Sequence, residues 1–206
     1  MNADEVALLR AIFAGTPLDD DVVDFATVLG GAPQQAGGLL LVGTPAEEPW
    51  HFAAHLTDEA RWAERPELSP TLVRWEVPPG APAHLAVSLD RLAATARDET
   101  LLVVAPETTP AQLLERIDDA RRRGVLVLAM ETGDTELRGL AHEALTVPNV
   151  AGTPYLDVVQ HVVSQTAPAS HGGKRSVRSR LGRLLDRAQG AAERPRDKPR
   201  DQPTDW

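Results

Sequence analysis

Two histidines four residues apart, His51 and His55, lie in the stretch Trp50-His51-Phe52-Ala53-Ala54-His55-Leu56. On a helix that spacing puts both imidazoles on one face. The pair is then half of a site for a divalent metal such as zinc, with Glu47 or Glu59 one turn away as a carboxylate ligand. Without a metal they are solvated or interfacial helix histidines. Just upstream, Leu39-Leu40-Leu41-Val42 runs into Gly43-Thr44-Pro45. A short apolar run ending in Gly reads as a buried strand delivering the chain to a loop and a helix N-terminus, where open α/β sheets hold their ligands. A second turn, Pro106-Glu107-Thr108-Thr109-Pro110, follows the apolar run Leu101–Ala105. Thr44, Thr108 and Thr109 offer hydroxyl donors there, and Glu107 offers a carboxylate. Other candidates are weaker. His84 and the His142-Glu143 pair are isolated, Ser88 and Ser164 have no neighbouring base for a serine hydrolase, and Gly37-Gly38 precedes its strand, so it is no dinucleotide fingerprint. Trp50, Trp62 and Trp75 read as packing residues before sugar platforms.

The elements that must position these residues alternate regularly. Residues 3 to 29 predict two helices parted at Thr16-Pro17, the second opened by Asp19-Asp20-Asp21 and closed by Gly30-Gly31. Strands are predicted at Leu39–Val42, Leu72–Val77, Leu101–Ala105, Val125–Met130 and Leu145–Val147. Helices are predicted between them at 46–63, 84–96, 110–123 and 134–143, with a last one from Thr153 to about Ser164, which carries His161. Strands alternating with helices mean βαβ units and a parallel sheet covered on both faces. The expected fold is therefore α/β, a three-layer αβα sandwich around a five-stranded, mostly parallel sheet. The divisions read as a helical extension over 1–36, the α/β domain over 37–166, and a linker, basic amphipathic segment and tail over 167–206.

Charge divides along the same lines. Residues 174–206 hold ten basic and five acidic side chains, while the rest of the chain holds eleven basic and twenty-five acidic, a balance of +5 against -14. An acidic body repels nucleic acid, whereas the basic segment suits an acidic partner, an anionic membrane surface or the body itself. The chain has no cysteine, which excludes disulfides and thiol chemistry. The acidic start Met1-Asn2-Ala3-Asp4-Glu5 lacks the basic character of a secretory signal, so the expected location is the cytoplasm.

Two stretches resemble the SIS (sugar isomerase) domain. Arg121–Ala129 with Leu137–Pro148 looks like that family's fourth strand, short helix and final strand, and His51–Thr57 is similar to the helix after the first phosphate loop of phosphoheptose isomerases. The resemblance implies a sugar-handling crevice bounded by the loops after the first and third strands, and a homo-oligomer, dimer or tetramer, with sites between subunits. It also implies that Gly43 is the first loop's glycine. Pro45 then stands where the family has a phosphate-binding Ser, and Val104-Ala105-Pro106-Glu107-Thr108-Thr109 replaces a Ser-x-Ser-Gly-x-Thr pattern of which only Thr109 survives. By the same resemblance His51 matches a zinc ligand, His55 replaces the family's Glu, and His161 lies near, but not at, the spacing of a last-helix ligand.

These departures disfavour a phosphate. Each proline removes an N–H from the anion nest. Glu107 beside a dianion costs about 4 kcal/mol per charge pair at ~4 Å and an effective dielectric of about 20. The sequence therefore leads to a SIS-like module binding a small carbohydrate through Gly43, Thr44, Glu107, Thr108 and Thr109, without isomerase activity and without a cofactor. Two alternatives stand beside it. One is a metal-dependent sugar isomerase with zinc on His51 and His55 and with Glu107 or His161 in a catalytic role. The other is an adaptor acting through its basic segment.

Overall fold

The computed structural model describes residues 11, 14–149 and 155–169, all within the first of two units, residues 1–173. The first predicted helix, the start of the last one at 153–154 and the basic segment lie outside the described residues.

Helix α1, Pro17–Gly31, begins where Pro17 presets φ and Asp19 and Asp20 face the positive end of the dipole. Its Val22, Phe25, Ala26 and Leu29 are buried. Strand β1, Leu39–Val42, is buried at every position. Then follow α2 (Trp50–Trp62), a 3-10 turn at Pro66–Leu68 and β2 (Thr71–Val73). Two more 3-10 segments, Ala83–Leu85 and Leu89–Ala94, lead to β3 (Thr100–Ala105). The chain continues through α3 (Ala111–Arg122), β4 (Leu126–Glu131), α4 (Thr135–Leu140), β5 (Glu143–Thr146) and α5 (Tyr155–Thr166).

The five strands form one sheet in the order β2-β1-β3-β4-β5, every pair parallel. Period-two alternation explains how unbroken apolar runs serve two cores. Leu39, Leu41, Leu102, Val104, Leu128 and Met130 pack on α1, α2 and α5, whereas Leu40, Val42, Leu101, Val103, Val127 and Ala129 pack on α3, α4 and the 3-10 segment before β3. The architecture is the expected three-layer α/β sandwich. Because β1 has β2 on one side and β3 on the other, the chain leaves β1 and β3 in opposite directions, and their C-terminal ends are the switch point where open α/β sheets have their ligand crevice.

Several predicted elements differ from the structure, among them the helix expected from residue 46, which begins at Trp50 with Pro49 as its N-cap because proline cannot donate within a helix. The strand expected over Leu72–Val77 ends at Val73, because the Arg74 amide donates to Val87 O (2.8 Å) and Arg74 bridges Ser88 instead of continuing along β1. That same pairing draws out residues 87–88, so the helix expected over 84–96 becomes two 3-10 pieces, the second capped by Ser88 Oγ. The helix expected over 134–143 stops at Leu140. His142 pairs with β4 instead, donating its amide to Val127 O (2.8 Å) and accepting the Val127 amide at Nδ1 (3.1 Å), which starts β5 two residues early.

Candidate functional site

The first crevice turn follows β1 directly. Gly43 is buried, and a Cβ there would stand 2.1 Å from Glu47 O and 2.5 Å from Pro49 Cδ, so no larger residue fits unless the turn moves. Thr44, fully buried, accepts the Glu47 amide at its carbonyl (3.2 Å), closing a turn with Pro45 at its second position, where proline's fixed φ is suited. Trp75 Nε1 donates to Gly43 O at 2.8 Å. Arg74 Nε and Nη2 reach Glu48 Oε2 at 3.0 and 2.7 Å. Of the N–H groups that could face an anion here, Pro45 has none and that of Glu47 is already engaged.

The second turn, after β3, meets the first one. Thr44 Oγ1 donates to Glu107 Oε1 across the crevice at 3.2 Å. The Thr109 amide donates to Asp134 Oδ2 at 2.7 Å, and Thr132 Oγ1 donates to Pro106 O at 2.7 Å, so this turn is tied to the segment after β4. Asp134 also caps α4 through the amides of Glu136 (3.1 Å) and Leu137 (3.0 Å). Burial works against its ionisation, but these amides outweigh it and hold its carboxyl below the usual range. Thr44 and Glu107 are thus in contact, with Gly43 beside them in the chain. Thr108 is exposed on the second turn, and buried Thr109 is tied through its backbone to Asp134.

Carboxylates dominate the mouth. Burial raises the pKa of Glu47, and the negative charges of Asp157, in the first turn of α5, and of Glu107 raise it further. Three elements therefore direct carboxyl groups at one region, and the nearby Arg74 is committed to Glu48. Deeper, at the end of β4, Glu131 is completely buried. It takes Arg138 Nε (2.9 Å), the Thr146 hydroxyl and the Gly133 amide, a structural clasp joining β4, α4 and β5.

The histidines form a separate cluster on the packed α2 and α5 helices. His51 and His55 have ring centroids 5.5 Å apart, and His161 meets His55 edge to face at 4.4 Å. His161 Nε2 also contacts the Gln165 amide nitrogen at 3.1 Å. Burial lowers the pKa of both His55 and His161, and neighbouring imidazoles lower them further, while Asp58 opposes the shift on His55. A zinc site needs ring nitrogens aimed at one point about 2 Å away. An edge-to-face stack aims the rim of one ring at the face of the other. Among the described residues no group of three or more His, Asp or Glu can hold a metal ion.

The sequence reading missed Arg74 and Asp157, and it named Trp75 only as a packing residue. Arg74 was absorbed into an alternating strand pattern, and Asp157 was not singled out at all. Of the tryptophans, Trp75 is half-buried, whereas Trp50 and Trp62 are exposed at 61% and 73%, so those two do not pack in the core of this chain.

No protein-family model matches this sequence, and no curated protein does. Solved structures do match in fold. NanR of Vibrio vulnificus, in complex with ManNAc-6P, superposes with a TM-score of 0.51 at 12% identity, over 92% of this chain and 67% of that one. A Salmonella typhimurium protein, provisionally assigned as a phosphosugar isomerase, gives 0.50 at 12% identity over 85% of this chain. This chain spans only 52% of that protein's length. The sugar isomerase domain of the RpiR transcription factor from Sphaerobacter thermophilus gives 0.46 at 13% identity, over 81% and 86% of the two chains. The likeness to the first two, at TM-scores of 0.51 and 0.50, places this chain in the class of α/β folds with a parallel sheet that those proteins share. At such identities the likeness is one of fold, and the ligand has to be argued from the crevice itself.

Proposed function

We propose that this chain is a SIS-type carbohydrate-binding module whose crevice takes a neutral, hydroxyl-rich sugar and does not isomerise sugar phosphates. The observation that carries this reading is Glu107, which accepts from Thr44 across the crevice with Glu47 and Asp157 close by. Carboxylates accept hydrogen bonds from hydroxyls and repel a phosphate dianion. The two turns reinforce that preference, since Pro45 and Pro106 have no N–H and the amides of Glu47 and Thr109 already have partners.

On this reading the protein is a cytoplasmic binding or regulatory module that self-associates as a dimer or tetramer, as the SIS resemblance implies. Its basic segment at 174–206 contacts an acidic partner or an anionic membrane surface. Among the described residues no helix is long and apolar enough to cross a membrane. The test is a calorimetric titration with N-acetylmannosamine and with its 6-phosphate. Binding of the free sugar with no detectable binding of the phosphate supports the proposal. Tighter binding of the phosphate overturns it.

A further inference from the structure

The first crevice turn is held from outside by two consecutive residues that take no part in the crevice. Arg74 and Trp75 follow β2 immediately. The Arg74 backbone is fixed on its far side by Val87 O (2.8 Å) and by the bridge to Ser88. Its guanidinium reaches forward to Glu48 at 2.7 and 3.0 Å. Trp75 is packed against the core on the β1–β3 side and sends its indole N–H to Gly43 O at 2.8 Å. Gly43 and Glu48 bracket the turn, which has one internal backbone bond of its own, Glu47 N to Thr44 O at 3.2 Å. A single such bond does not hold a six-residue turn, because the conformational entropy lost on ordering each residue exceeds what one net hydrogen bond returns. Besides the burial of Thr44 and its bond to Glu107, the turn is held at its two ends.

We propose that Arg74 and Trp75 are positioning residues that brace the first crevice turn in its closed form, coupling the edge strand β2 to the site. A turn held at Gly43 and Glu48 keeps the Glu47 amide on Thr44 O and the Thr44 hydroxyl aimed at Glu107. Released, it can turn its amides outward, the shape an anion would need. The brace stands on geometry alone. Its bearing on ligand choice rests on the carbohydrate reading above.

The experiment is hydrogen exchange followed by mass spectrometry on the whole chain, comparing wild type with Trp75→Phe, Glu48→Gln and Arg74→Gln. Trp75→Phe keeps an aromatic ring and removes one donor, and Glu48→Gln changes only charge, so a folded variant is available even if Arg74→Gln proves unstable. Exchange in peptides covering 43–49 should rise about fivefold in Trp75→Phe, the effect of one neutral hydrogen bond, and about tenfold when the charged pair is broken. Exchange in β3 should stay within twofold. Unchanged exchange at 43–49, or a rise matched in β3, would overturn the brace, since the latter is what general destabilisation gives. In parallel, N-acetylmannosamine is titrated into wild type and Trp75→Phe, where a loss of about fivefold or more is expected. If the sugar binds neither protein while exchange responds, the carbohydrate reading fails and the brace stands. If the sugar binds both equally and exchange is flat, the brace fails and the carbohydrate reading stands.

Discussion

Glu47 carries a charge that its surroundings oppose. Burial comes first among the causes, followed by the charges of Asp157 and Glu107, and all three raise its pKa. For an acid shifted upward, the ionised form weakens the folded state, so the penalty is present at neutral pH and fades as pH falls through the folded pKa toward the unfolded value of about 4.3. Glu47→Gln should therefore raise the denaturant midpoint at pH 7, and the gain should vanish below about pH 4. A midpoint difference that is independent of pH would mean the carboxylates do not interact. Gly43 makes the complementary point about space. A methyl group at 2.1 Å from Glu47 O cannot be absorbed by a flexible side chain, because the obstruction is backbone. Gly43→Ala should cost about 2–3 kcal/mol, as overpacking does, read from urea unfolding with the m-value unchanged.

At the level of elements, the packing of α5 on α2 depends on neutral imidazoles. His55 and His161 are both shifted downward, first by burial and then by neighbouring histidines, with Asp58 opposing on His55 and Asp157 one turn before His161. A histidine with a lowered folded pKa contributes stability that is complete above its unfolded value of about 6.5 and is lost as pH falls from there toward the folded pKa. Unfolding midpoints should drop across that window in wild type and stay flatter in His55→Gln/His161→Gln. Equal slopes would show that the stack does not sense protons. This contact also shows what the sequence could reveal. The strands β1, β3 and β4 were legible because an apolar run buried on both faces has few other readings, and Gly43 and Pro45 marked the first turn. The shortness of β2 and the 3-10 form of residues 83–94 were not legible, since both follow from Arg74 pairing with Val87 and Ser88 across an intervening loop. His161 was visible as a residue, but its meeting with His55 depends on two helices lying side by side, which spacing along the chain does not encode.

For the whole molecule, the distribution of charge fixes how a ligand of either sign is received. Outside residues 174–206 the chain holds eleven basic and twenty-five acidic side chains. Glu47, Glu107 and Asp157 add mutually repelling carboxylates at the crevice, and Arg74 and Arg138 are paired to Glu48 and Glu131. A phosphate site built on lysines and arginines weakens as salt is added, because screening removes attraction. Here the sign should be reversed. Between about 0.05 and 0.5 M salt, where the Debye length shrinks from roughly 14 to roughly 4 Å, affinity for a neutral sugar should hold steady. Any residual affinity for its phosphate should rise about threefold to tenfold as repulsion is screened. Calorimetric titration of both sugars at the two salt concentrations measures this directly. A phosphate affinity that falls with salt would require an unrecognised cationic patch at the crevice. A rise that disappears in Glu107→Gln would locate the repulsion at the second turn, where Thr44 and Glu107 meet.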